Sequence, residues 1–195
     1  VSLLTIRQID LKKIIAYSSV AHMNFVVLGL LCSNVIGLGG SVFLMLSHGI
    51  VSSGLFFCIG ILYDRFKTRI LFYFLGIVNL MPLYSIFLLL LTLSNISFPL
   101  TSGFVGEILI FIGLFFYSPS LTFLSAFGVI LGAIYSMWLF NRIVYGSLNK
   151  KFNTYIDINL REFYCISILS MLIIYFGVVP NFLLKLILNT ISVYV

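Results

Sequence analysis

The sequence predicts an all-α membrane protein: one membrane domain over 1–195 with about five transmembrane helices, one of them interrupted at Pro99–Gly106. Three observations carry this prediction. Only 8% of the residues are charged, 62% are apolar and the mean hydropathy is +1.21, whereas a soluble domain carries about 25% charge. The apolar runs are long and continuous, without the alternation of barrel strands. The basic residues sit in the gaps between those runs. Hydrocarbon cannot satisfy backbone donors and acceptors, so such a chain folds into helices. The same composition excludes a cytosolic enzyme, a disordered tail and a disulfide-rich secreted domain. The net charge of +6 forms no basic stripe with interleaved aromatics, which excludes nucleic acid as a partner; lipids are the expected surroundings.

A first helix is predicted over 14–31, just after Lys12 and Lys13. A second runs over 36–62 and ends at the charged turn from Asp64 to Arg69. The third is the interrupted helix, 82–117, and the fourth covers 121–140 up to Asn141 and Arg142. A polar linker over 147–161 leads to the last span, 162–179, which Pro180 closes. The uninterrupted spans have roughly the ~17–25 residues that a ~30 Å hydrocarbon layer requires. Cys32, Cys58 and Cys165 lie in or at the edge of apolar segments, without CxxC spacing, and read as small buried hydrophobes.

The stretch 70–117 is long enough to cross once or twice, and charge decides. With a single crossing, and 70–81 near the surface, ten of the eleven basic residues fall on one side and only Lys185 on the other. Two crossings would split them seven to four. Positive residues prefer the side that is not translocated, so five spans are expected.

The interruption reads Leu93-Ser-Asn-Ile-Ser-Phe-Pro-Leu-Thr-Ser-Gly-Phe-Val-Gly-Glu107. Pro99 removes a backbone donor, and Gly103 and Gly106 weaken the helix that follows. Asn95, Ser97, Thr101 and Ser102 are the side chains expected to satisfy the freed backbone groups. Broken helices at mid-membrane are a recurrent device for ion sites, although a kink that serves packing is the plainer reading.

Glu107, His22 and His48 are the acid and imidazole groups that fall well inside predicted spans. A charge at the bilayer centre costs ~2.5–3.5 kcal/mol even on a lenient scale, so such groups are candidates for function. Glu107 lies near the start of a half-helix, where burial opposes its ionisation and the positive helix end favours it. Ser18 and Ser19 precede His22 by four and three residues and share its face; Ser47 and Ser52 flank His48. Hydroxyls so placed are able to hold a file of water, and imidazole passes a proton between its two nitrogens. The residues leave three chemistries open: a proton relay through His22, His48 and Glu107; a haem held between the two histidines; and a two-histidine-one-carboxylate metal site.

Several motifs carry a resemblance. The run Gln8-Ile-Asp-Leu-Lys-Lys-Ile-Ile-Ala-Tyr-Ser-Ser-Val-Ala-His-Met23 resembles the hallmark of the antiporter-like subunits of respiratory complex I. Met45-Leu-Ser-His-Gly49 with Ser52-Ser-Gly-Leu-Phe56 resembles their next helix, Phe98–Glu107 their interrupted twelfth helix, and Ala133-Ile-Tyr-Ser136 their thirteenth. The spacings, 26 residues from His22 to His48 and 59 from His48 to Glu107, fit as well. The resemblance implies a proton-translocating membrane-arm subunit of NADH:ubiquinone oxidoreductase. Its five helices would be the last third of a fourteen-helix fold, with the first half absent from this chain.

It also implies a role for each ionisable group: His22 as a proton-relay histidine, His48 as the histidine of the following helix, Glu107 as the terminal proton-exchange carboxylate. The resemblance places no cofactor and no metal in this chain; flavin, iron–sulfur clusters and quinone belong to other subunits. Partners would be the other membrane-arm subunits, including a chain that supplies the first half if the gene is split; a truncated sequence is the alternative. A subunit of a multisubunit Na⁺/H⁺ antiporter resembles the same helices and is the rival function. Abundant Phe, Ile, Leu, Tyr and Asn match AT-rich organelle genes and point to the mitochondrial inner membrane, with a bacterial plasma membrane as the alternative.

Overall fold

The computed structural model describes residues 1–146 and 157–192, and in them the chain is helical. A short α1 (Ser2–Ile6) precedes α2 (Leu11–Leu31), α3 (Val35–Phe66), α4 (Pro82–Asn95), α5 (Ser102–Tyr117), α6 (Pro119–Val144), α7 (Leu160–Val178) and α8 (Asn181–Ile191). By length and composition, α2, α3, α6 and α7 are each able to cross a membrane. The pair α4 and α5, too short singly, supplies the fifth crossing, in agreement with the expected all-α membrane fold. Of the expected linker at 147–161, residues 147–156 lie outside the described residues, and α7 already begins at Leu160.

The segment 70–81 is neither a span nor a flat surface strip. Asp10 and Ile70 form an isolated antiparallel bridge, through Leu11 N–H to the Arg69 carbonyl and Leu71 N–H to the Ile9 carbonyl, 3.0 Å each. Two 3-10 turns, Leu71–Tyr73 and Ile77–Asn79, then bury Leu71, Phe74, Ile77 and Met81 against the end of α3 and of α6. The segment therefore plugs one end of the bundle with its own side chains.

The helix break falls at 96–101, slightly earlier than the expected Pro99–Gly106. Proline at 99 leaves the Asn95 carbonyl without its helical donor, so α4 stops there. Its end is a Schellman motif with serine in the usual glycine place. Ser97 is left-handed at φ 60°, Ser97 N–H reaches the Ser94 carbonyl, and Phe98 N–H reaches the Leu93 carbonyl. Leu100 is also left-handed, at φ 77°, and Thr101 Oγ1 donates to the Phe98 carbonyl at 2.7 Å. Of the side chains expected to satisfy the break, Thr101 does so directly, Ser97 acts through its backbone, and Ser102 Oγ is buried without a partner. Gly103 and Gly106 are helical residues of α5 and serve close packing rather than interruption. A Cβ at Gly106 would stand 2.9–3.1 Å from the Leu44 backbone and Cβ, and one at Gly113 would stand 2.7 Å from Gly37 Cα. These approaches let α5 lie directly on α3.

Charged groups gather at the basic side. Arg65 Nη2 pairs with Glu162 Oε2 at 2.7 Å and donates to the Asp157 carbonyl at 3.0 Å. The Asp157 carboxylate accepts from Leu83 and Tyr84 N–H, at 2.9 and 3.3 Å, and so caps the first turn of α4. Asn159 and Glu162 form a capping box at the start of α7. The end of α3, the start of α4 and the start of α7 are thereby tied together. At the far end of α7, Gly177 lies against the break itself, because a Cβ there would collide with the Leu100 carbonyl. Of the three cysteines, Cys32 and Cys58 are buried as expected, while Cys165 is exposed on the outward face of α7.

Two glycine replacements separate these effects. Gly177→Ala forces the break and α7 apart and is expected to destabilise by about 1–3 kcal/mol. Gly60→Ala, where an added Cβ meets nothing within 4 Å, is expected to stabilise by up to ~1 kcal/mol. Thermal unfolding in detergent reads both.

Candidate functional site

The core divides into two apolar clusters, and the ionisable groups lie between them. Along α2 the one cluster includes Ile15 and the other Phe25; along α3 they include Val51 and Leu44; along α4 and α5, Leu91 and Ile110. His22, His48 and Glu107 occupy the intervening turn of each helix. Such a layer is where hydrocarbon-facing packing gives way to polar side chains, and the break between α4 and α5 opens into it.

Within the layer, His22 Nδ1 stands 3.5 Å from Glu107 Oε1, with side-chain exposures of 14% and 7%. This is ion-pair reach but longer than the 2.7–2.9 Å of a tight charge-assisted hydrogen bond. The other ring nitrogen, His22 Nε2, is buried and unpartnered. The His48 ring lies 5.3 Å from that of His22, centroid to centroid, tilted by 32°. Glu107 sits in the second turn of α5, and the field of a helix terminus fades within the first turn. Its nearest electrostatic partner is therefore the imidazole, not the helix end.

Two spaces meet at His22. A cavity of about 230 Å³, half open, lies between α2, the end of α4, α5 and α6; His22, Asn95, Glu107 and Tyr135 supply polar groups to it. A second void of about 10 Å³ is shared by His22, His48, Ser47, Asn95 and Ser97. It is close to the smallest space that holds one water. A porphyrin plate does not fit between rings that share so little room, which removes the haem reading. Among the described residues no three His, Cys, Asp or Glu side chains converge at metal-ligand spacing.

The serine stripes divide. Ser18 and Ser47 belong to the layer, and both donate back to their own helix, to the Ile15 and Leu44 carbonyls. Their lone pairs stay available to water. Ser19 and Ser52 are half-buried, bonded to the Ala16 and Gly49 carbonyls, and line neither of the two spaces at His22. Tyr135 of α6 enters the site although sequence reasoning noticed it only within a resemblance motif. Its hydroxyl is buried and makes no hydrogen bond of good geometry, yet Asn95 and Ser18 lie beside it and Glu107 is close enough to act on it. A polar tip on an otherwise apolar stretch was the one available signal.

Fold and site together define a class: a helical membrane protein whose discontinuous helix presents a carboxylate to a buried imidazole beside a cavity. Comparison with known proteins agrees. The transmembrane family described as NADH:quinone oxidoreductase/Mrp antiporter matches residues 1–135, and the chain belongs to that family. NADH-ubiquinone oxidoreductase chain 4 of Chondrus crispus is 52% identical over 181 residues, which are 92% of this chain and 37% of that protein. The chain thus spans a little over a third of the length of that relative. Among solved structures, respiratory complex I from Thermus thermophilus with bound NADH contains a chain with TM-score 0.86 and 25% identity, matching 98% of this chain and 41% of its own length. The Mrp complex from Dietzia sp. DQ12-45-1b, at TM-score 0.88 and 19% identity over 98% of this chain and 44% of its own, shares the fold.

Tyr135→Phe removes an unpartnered hydroxyl and keeps the ring. Unfolding stability is expected to change by less than about 0.5 kcal/mol, while the infrared carboxyl band of Glu107, identified by its loss in Glu107→Gln, shifts.

Proposed function

We propose that this chain is part of the membrane arm of an NADH:ubiquinone oxidoreductase and carries one segment of a buried proton relay. The observation that carries the reading is the His22–Glu107 pair at a helix break, joined to a cavity on one side and to His48 on the other. The 52% identity to a chain 4 of that enzyme supports the assignment of the complex. Flavin, iron–sulfur clusters and the quinone site would reside in other subunits, and this chain would hold no redox centre. Neighbouring membrane-arm subunits are its partners, and a mitochondrial inner membrane, crossed several times, is its location, as the eukaryotic relatives suggest.

In this reading a proton reaches the pair through water in the cavity, with Tyr135 and Asn95 orienting that water. It resides on His22 Nδ1 or on Glu107 Oε1, which are close enough to exchange it after a small approach. With one proton between them the pair is imidazole and carboxylic acid, or imidazolium and carboxylate; both are neutral overall and both suit a low-dielectric layer. A second proton or its loss leaves a net charge, which is costly there. The pair therefore responds to any change in the local field, and redox chemistry elsewhere in the complex would supply that change. His22 Nε2, free of a protein partner, is the exit toward the small void and His48.

The second reading, a subunit of a multisubunit Na⁺/H⁺ antiporter, is favoured by the likeness to the Mrp complex in fold. Purification distinguishes the two: flavin and iron–sulfur proteins accompany the chain in the first, and are missing in the second.

Glu107→Gln in the assembled complex is expected to lower proton translocation by about 10²-fold or more, the scale of a positioned acid–base group, with assembly intact on native gels. His22→Gln is expected to act in the same direction. Full translocation by an assembled Glu107→Gln complex would remove the carboxylate from the relay.

A further inference from the structure

A crevice on a face of α3 that adjoins the face of His48 plays no part in the relay described above. It has a volume of about 200 Å³, is half open, and is walled by Phe43, Leu46 and Ile50 of α3, Ser102 of α5, Phe176 of α7 and Leu183 of α8. Ser47 separates the crevice from the small void beside His48 and turns its hydroxyl back to the Leu44 carbonyl.

Helix α3 serves as a ruler for depth. The basic cluster marks one membrane face at Arg65, and α8 descends in the other direction, since Leu188 packs where a Cβ on Gly39 would stand 2.8 Å from it. The crevice begins near mid-span, at Ile50 and Ser102, and runs toward the face that lacks the basic cluster. Lys185 lies between Leu183, which touches the crevice, and Leu188, which touches Gly39. It is exposed and has no ion pair among the described residues. None of the five acids in the chain is near it in sequence; Asp10, Asp64, Asp157 and Glu162 mark the other face and Glu107 the interior. On a helix, Phe182 lies next to Lys185 and Leu186, and Leu186 next to Leu183; Phe182 and Leu186 are 62% and 56% exposed. A cation thus leads over an exposed apolar flank into an apolar cleft.

We propose that this cleft is the binding site of one anionic phospholipid of that leaflet, with an acyl chain in the crevice and the phosphate on Lys185. Charge complementarity selects the headgroup: an uncompensated lysine at a membrane surface attracts anionic lipid. The walls and the hydrocarbon surroundings of a transmembrane chain select the tail. The tail ends against Ser102, the first residue of α5 and five residues before Glu107, so occupancy packs the start of the half-helix that carries the relay carboxylate. The proposal needs only the membrane reading of the fold and stands apart from the proposed proton chemistry.

The test uses the complex containing this chain in phosphatidylcholine nanodiscs. A trace phospholipid carries a photoreactive group along its acyl chain, with either a phosphatidylglycerol or a phosphatidylcholine head. Adducts are expected on peptides containing Leu46–Ile50 and Phe176–Leu183, with the anionic probe labelling about fivefold more, the ratio that ~1 kcal/mol per surface lysine gives. Lys185→Gln is expected to erase the difference, Lys185→Arg to preserve it, and Leu183→Trp to abolish labelling of the cleft by either probe. Equal labelling by the two probes in the wild type would overturn the site as a nonselective contact. Labelling of other lipid-facing peptides but not of these would overturn it in favour of a covering protein segment.

Discussion

A carboxyl group in hydrocarbon needs a partner, and here the partner is an imidazole. The contact between Glu107 and His22 draws α2 and α5 together across the middle of the bundle. A lysine or arginine in the place of His22 would hold the carboxylate permanently charged and would make the pair a rivet. Imidazole in general exists in both charge states near neutral pH, so a contact with it need not be permanently charged. The adjoining cavity reaches both side chains although each is largely buried.

The rest of the structure places that contact. Apolar clusters pack on either side of the polar layer. The glycine approaches between α3 and α5 bring the half-helix close enough for His48, His22 and Glu107 to form one group. The break supplies backbone that is not consumed by helical hydrogen bonding, and Asn95 faces both spaces from its edge. At the basic face, Asp157 and Arg65 anchor α4 and α7, while at the far end of α7 Gly177 presses on the break. Helix α7 therefore spans from the anchor to the interruption, and its position is coupled to both.

Much of this was legible from residue type and spacing. Pro99 ends a helix by removing a donor, whatever surrounds it, and the charge split between the two sides argues for a single crossing without reference to packing. The three ionisable groups stood out because each is expensive where it lies. Other features depended on neighbours that spacing does not reveal. Ser19 shares a helical face with His22 at three residues, yet it falls just outside the layer, because a face some 100° wide has an edge that only packing locates. Ser52 likewise lines neither of the two spaces at His22. Tyr135 is one of eleven tyrosines, and only the approach of α6 to Asn95 and Glu107 distinguishes it. The segment 70–81 reads as a weak apolar run; a bridge to residue 10, remote in sequence, turned it into a plug.

By itself the sequence determined the solvent, the long helices, the crossing number and the list of ionisable groups inside the spans. Each of these follows from a local cost: a charge in oil, an unpaired donor, a missing N–H. Only the tertiary structure decided which of those groups meet, that His22 rather than a helix terminus faces Glu107, and where voids remain beside them. Those outcomes are sums over contacts between helices far apart in the chain, such as the close approach of α5 to α3 at Gly106 and Gly113.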